Sequence, residues 1–209
     1  MNDEKKIIEK EFQSKNKNFM GYFLPTNSLS LSMTAIFAAL ICVLTMIIAI
    51  PIPATQGFIN IGDAGVMITG LLFGPIIGGL AGGIGSALAD ILLGYTIYAP
   101  ATLIIKGLEG FIIGIIANPR KNYQKFTYRD ILAVIVGGFI MVTGYFIYEL
   151  ILFGFPAALY EFVLNSLIQF GLSAILALIF AKTIRKNIIN NLPQVFEKIF
   201  LIEISDETL

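Results

Sequence analysis

The sequence predicts an all-α integral membrane protein with six transmembrane helices and both termini cytoplasmic. Three observations carry this expectation. Hydrophobic residues make up 56% of the 209 positions and charged residues only 13%, with a mean hydropathy of +0.83, whereas soluble domains average about 25% charged. The apolar runs are long enough to cross a hydrocarbon core of about 30 Å, which takes about 20 residues each. Lysine and arginine also cluster in alternate connecting segments, which places thirteen of the fourteen on one side of the membrane, the pattern that sets orientation in a bilayer.

The first helix spans Leu31 to Ile50, opened by the cap candidates Ser28 and Ser30 and stopped by Pro51 and Pro53. It follows a polar segment, so it reads as a retained span and not as a cleaved signal. The loop PIPATQGFIN leads to a short second helix, about Asp63 to Phe73, which is too short to span unaided. Gly74 and Pro75 separate it from a third helix, about Ile76 to Leu93. The fourth helix, with Pro100 in its first turn, continues to about Ile116, and the polar stretch NPRKNYQKFTYRD follows. The fifth runs from about Asp130 to Phe153 and the sixth from about Leu159 to Ile184.

Five lysines precede the first helix, four basic residues lie between the fourth and fifth, and four lie in the last turn of the sixth or after it. The loops after the first, third and fifth helices have none. The chain thus divides into a cytoplasmic polar segment (1–30), a six-helix substrate-binding domain (31–186) and a cytoplasmic amphipathic tail (187–209), in which VFEKIFLIEI alternates as a surface helix would.

Composition also narrows the chemistry. Histidine is absent, which removes the commonest general base and zinc ligand, and the single cysteine, Cys42, excludes an internal disulfide framework. No metal site and no nucleic-acid partner are expected. The glycine-rich GGLAGGIGSALAD lacks the Lys and Ser/Thr that end a phosphate-binding loop, so no ATP site is encoded. Its small residues at four-residue spacing suit close helix packing instead.

The tract from Ile59 to Ile116 holds only four charges, Asp63, Asp90, Lys106 and Glu109. Each costs roughly 2.5 to 3.5 kcal/mol to insert, so pairing or function is the usual reason for keeping it. Lys106 and Glu109 are three apart and share a helix face, as an ion pair would require. Asn60, Asp63, Asp90, Tyr95, Tyr98 and Glu149 lie towards the outer side, joined by Asn165 and Gln169 one turn apart in the sixth helix. Carboxylates, amides and phenols together suit a small polar heteroaromatic ligand. Helix pairing, an interfacial aromatic belt and interhelical hydrogen bonds account for the same residues equally well. An intramembrane carboxylate relay, as in a stand-alone secondary transporter, and an Asp63/Asp90 catalytic dyad are the other readings; neither an inverted repeat nor a separate catalytic domain supports them.

The run INIGDAGVMITGLLFGPIIGGLAGGIGSALADILLGYTIYAPATLIIKGLEGFIIGII resembles the substrate-binding S-components of energy-coupling factor (ECF) vitamin transporters, in the branch that includes pyridoxine and hydroxymethylpyrimidine transporters. The likeness covers all six helices and is most specific in GDA, FGP, SALAD and YAPxTLxIKGLEG. It implies a six-helix bundle that binds one vitamin near its outer face, riboflavin being a less favoured ligand than the smaller heteroaromatics. It also implies three partners, an EcfT-like transmembrane coupling protein and two cytoplasmic ATPases, so that ATP is used on other chains and none of this chain's residues holds a cofactor. Ala35 and Ala39, with Ala38 beside them, match the family's small-residue docking motif on the first helix. By position, Asn60, Asp63, Tyr95, Tyr98, Glu149, Asn165 and Gln169 are the substrate-binding candidates, and Asp90, Lys106 and Glu109 the supporting polar network.

Overall fold

The computed structural model describes residues 18–24 and 28–201. The charged start of the chain, including KKIIEKEF, and the last eight residues lie outside the described residues. In chain order the elements are β1 (Asn18–Phe19), β2 (Tyr22–Phe23), α1 (Ser28–Ile47), β3 (Ala49–Ile52), β4 (Gly57–Asn60), α2 (Gly62–Phe73), α3 (Pro75–Leu93), α4 (Ala99–Ala117) and α5 (Pro119–Asn122). There follow α6 (Tyr128–Phe153), α7 (Phe155–Leu164), a π-helix (Asn165–Phe170), α8 (Gly171–Thr183), α9 (Arg185–Asn191) and α10 (Pro193–Phe200).

Five helical segments among the described residues are long and apolar enough to cross a membrane: α1, α3, α4 with its extension to Asn122, α6, and the continuous α7–π–α8 rod. The sixth expected span, α2, has 12 residues, roughly 18 Å of rise, and is buried at every position except Ile68. It is sheathed by the longer helices. Large apolar side chains such as Ile36, Ile104, Phe139, Ile151, Leu167 and Ile175 point outward, as a lipid-facing surface requires.

Two glycine-lined approaches set the spacing of the inner helices. A Cβ on Gly110 of α4 would collide with the Gly78 carbonyl of α3, and one on Gly85 of α3 with the Ala38 carbonyl of α1. The small-residue spacing of GGLAGGIG is therefore realised as backbone-to-backbone contact. Gly74, at φ +84°, turns the chain from α2 into α3, and the Tyr22 ring lies where its side chain would be.

The structure departs from the expected elements in three places. The loop PIPATQGFIN, expected to be irregular, is an antiparallel hairpin in which Ala49 pairs with Asn60 and Ile52 with Gly57. A second small hairpin, β1–β2, precedes α1, so the all-α expectation holds for the membrane-spanning part only. The tail, expected on the membrane surface, folds back: Phe196, Ile199 and Phe200 of α10 are buried in one cluster with Tyr22, Leu72, Phe73 and Ile77. The alternation in VFEKIF is that of a helix covering the base of the bundle. Among the described residues three more clusters fill the interior, one around Met67, Leu71 and Ile113, one around Ile41, Val66 and Ala81, and one around Ile105, Met141 and Val142.

At that same basic end, Arg185 is fully buried and clamps three segments. It donates to Asp130 at 2.5 and 3.1 Å, and to the carbonyls of Asn122 and Lys125 at 3.2 and 3.0 Å. Asp130 also closes the capping box of α6 by accepting from the Thr127 backbone N–H at 2.8 Å. Breaking a buried pair leaves one charge without compensation, at a cost of about 3–5 kcal/mol. Arg185→Met is therefore expected to lower the unfolding temperature sharply in detergent, and Arg185→Met/Asp130→Asn to recover part of it, because asparagine keeps the cap without the charge.

Candidate substrate-binding site

The polar side chains converge at the end of the bundle opposite the basic one, beneath the β3–β4 hairpin. Among the described residues Lys106 is the cation of the membrane interior, and it is 2% exposed. It forms an ion pair with Asp63 of α2 and another with Glu109 at 3.3 Å, and stands 5.4 Å from the centre of the Tyr145 ring. Asp63 in turn accepts from Gln169 Nε2 at 2.8 Å, and Gln169 Oε1 accepts from the Asn60 backbone N–H at 2.9 Å. Asn60 closes the chain by accepting from the Gly62 N–H at 2.8 Å, at the start of α2. One continuous network thus ties α4, α2, the π-helix and the hairpin together.

Above this network is a narrow polar cavity of about 20 Å³. Its walls include Asn60 and Phe58 from β4, Asp90 from α3, Tyr98 and Thr102 from the start of α4, and Tyr145 from α6. Glu161, Asn165 and Gln169 complete it from the α7–π rod, and Gly57 leaves room where a side chain would press on Glu161 and the Tyr98 hydroxyl. Asn165 and Gln169 both sit within the π-helix, whose wider turn is a common device at functional sites.

The hairpin is latched over this space. The Thr55 hydroxyl donates to Glu161, and the Tyr98 hydroxyl donates to the Thr55 carbonyl at 2.8 Å. Tyr95 lies outside the cavity with its ring 4.4 Å from that of Phe58, closing the hairpin's flank. A second chain of hydroxyls runs along the wall: Tyr145 donates to Thr102 at 2.9 Å, and Thr102 bonds the Asp90 carboxyl. Glu149 is fully buried behind Glu161, and the two carboxyls adjoin.

Of the seven substrate-binding candidates, the structure brings Asn60, Tyr98, Asn165 and Gln169 to the cavity wall. Asp63 lies in the ion-pair network beneath, Tyr95 covers from outside, and Glu149 stands in the second layer. Of the supporting residues, Lys106 and Glu109 are in that network, whereas Asp90 faces the cavity. Thr102, Tyr145 and Glu161 belong to the wall without having been singled out as binding residues. Their signal was position: each lies one or two turns from a singled-out polar residue on its own helix. Among the small residues of α1, Ala35 and Ala39 are on the exposed face, but Ala38 is packed inward against Gly85. Ala38 is therefore part of the core and not of a docking face.

The network orders its own members. Losing Asp63 removes one of the two carboxylates on Lys106 and the acceptor of Gln169 Nε2 together, whereas losing Glu109 leaves both the Lys106–Asp63 pair and the Gln169–Asp63 bond in place. Asp63→Leu is expected to destabilise more than Glu109→Leu, with the larger loss at about 3–5 kcal/mol, read from unfolding temperatures in detergent.

Comparison with known proteins follows the same lines. The model of the ECF-type riboflavin transporter S-component family matches residues 26–186. The thiamine precursor transporter HmpT of Lactococcus lactis subsp. cremoris is 31% identical over 119 residues, 56% of this chain and 69% of that protein. An uncharacterised protein of Pyrococcus woesei is 45% identical over 129 residues, 62% of this chain and 83% of its own length. A UPF0397 protein of Streptococcus pneumoniae is 38% identical over 96 residues, 46% of this chain and 52% of that one. With the family model covering every membrane helix from α1 to α8, the chain belongs to the ECF-type riboflavin transporter S-component family and is a multi-pass membrane transport component, not an enzyme.

Proposed function

We propose that this chain is the substrate-binding subunit of an ATP-driven ECF uptake system for a small vitamin or vitamin precursor, a pyridoxine-type vitamer or hydroxymethylpyrimidine. The observation that carries the reading is the latched polar cavity at the end opposite the basic residues, seen together with likeness to a thiamine precursor transporter. Asn60, Tyr98, Asn165 and Gln169 would contact ligand, and the Lys106 network would hold them in place.

In this reading α2 is the short sixth span. The basic ends, α5, α9 and α10, face the cytoplasm in accordance with the lysine and arginine distribution, and the hairpin faces outside. Energy comes from two ATPases through a coupling protein that docks on the exposed Ala35 and Ala39 of α1, where the helix backbone is least shielded.

Two measurements test this. Purified protein should gain thermal stability with hydroxymethylpyrimidine or a pyridoxine vitamer, by about 2.7 kcal/mol at a hundredfold excess over Kd. Absence of stabilisation by these and by riboflavin would end the vitamin-binding reading. Ala35→Trp should abolish uptake in cells that carry the coupling module while leaving the ligand-induced shift intact. Loss of that shift would instead make the α1 face part of the binding fold.

A further inference from the structure

Glu149 of α6 and Glu161 of α7 are 0% and 3% exposed, and their carboxyls are hydrogen-bonded to each other. Two carboxylates cannot make that bond, because an ionised carboxyl only accepts; one of the two therefore carries a proton. The surroundings decide which. Glu161 receives the Thr55 hydroxyl and, at 3.4 Å, Asn165 Nδ2, whereas no N–H or hydroxyl among the described residues reaches either oxygen of Glu149. Donors favour the ionised form, so Glu161 is the carboxylate and Glu149 the acid that donates to it. The other groups facing the pair are Tyr98 from α4, Tyr145 from α6 with Tyr148 beside Tyr98, and Asp90 from α3 across the cavity. None of these is a cation, and Lys106 is engaged by Asp63 and Glu109.

We infer that Glu149 is a positioning residue for the hairpin: its proton holds Glu161 as the acceptor for Thr55, so that closure over the cavity depends on one buried proton. When that proton passes to water, Glu149 becomes a second carboxylate beside Glu161, with no cation to compensate. Like charges this close and away from water repel strongly. Glu161 is displaced from Thr55, the Tyr98 bond alone is left to hold the hairpin, and water enters to hydrate both carboxylates. What the device serves rests on the binding-subunit reading, whereas closure itself is a property of the ligand-free protein.

Spin labels at Ala54→Cys on the hairpin and Ile151→Cys on α6, both exposed positions, report closure in the full chain carrying Cys42→Ala. With Glu149 intact, a single short separation is expected at neutral pH and a second, longer one at alkaline pH. Thr55→Val, which removes the latching hydroxyl, should show the longer separation at every pH. Glu149→Gln keeps an N–H donor that is never ionised away and should hold the short separation throughout. Glu149→Leu removes the donor and should show the longer separation already at neutral pH. The infrared band of a protonated carboxyl, present with Glu149 at neutral pH, should be missing from Glu149→Gln. A Leu variant as closed as the parent, a Gln variant that opens with pH as the parent does, or an infrared band that the Gln substitution leaves unchanged overturns the inference. If the Leu variant does not fold, the Gln variant and the band decide. A chain that binds no vitamin overturns the binding-subunit reading and leaves these ligand-free results standing.

Discussion

A lysine buried in hydrocarbon must be neutralised where it stands, and Lys106 is neutralised by carboxylates from two helices. That requirement fixes α2 against α4 more narrowly than apolar packing could, since side chains of similar size are interchangeable in a greasy interface and an ion pair is not. Because Asp63 is also bonded by Gln169, and Gln169 by the Asn60 backbone, the same constraint reaches the π-helix and the hairpin. The cavity floor is the upper surface of that network. Its position follows from charge pairing, and its walls from the helices that the pairing aligns.

The glycine contacts make this geometry attainable. Backbone approach of α3 to α4 at Gly78 and Gly110, and of α3 to α1 at Gly85, draws the helices close enough for short side chains to reach across. With larger residues there, Asp90 and Thr102 would stand on walls too far apart to share one small chamber. Apolar clusters around Met67 and Met141 then fill what remains, at the density that protein interiors require.

Most of the helical plan could be read from the residues, because apolar runs bounded by Pro, Gly and basic stretches leave few alternatives in a bilayer. The shortness of α2 was also legible from Gly74 and Pro75. What escaped was governed by partners distant in sequence. PIPATQGFIN has the prolines and polar residues of a loop, and pairs as a hairpin only because Ala49 and Asn60 are delivered to each other by α1 and α2. The spacing of VFEKIFLIEI announced an apolar face in need of cover without saying whether lipid or Tyr22 and Phe73 would provide it. The polar residues of the site were visible as a set. Their division into ion-pair floor and open wall was not, since Asp63 and Asp90 look alike until one meets Lys106 and the other Thr102. Ala38 shared a stripe with Ala35 and Ala39, and the turn of about 100° per residue carries it from their exposed face to the inward edge.

The hairpin latch has a kinetic meaning as well as a geometric one. Thr55 is held from two sides, by Glu161 through its hydroxyl and by Tyr98 through its carbonyl, and it closes the space beneath it. If the proposed site is the binding site, these two bonds and the Phe58–Tyr95 contact stand between a molecule in that chamber and the hairpin side. Residence time is then a property of the strap, and association is slowed by the same step. A binder built in this way retains its cargo through slow events elsewhere in the membrane even at moderate affinity, because escape waits on the protein's own bonds.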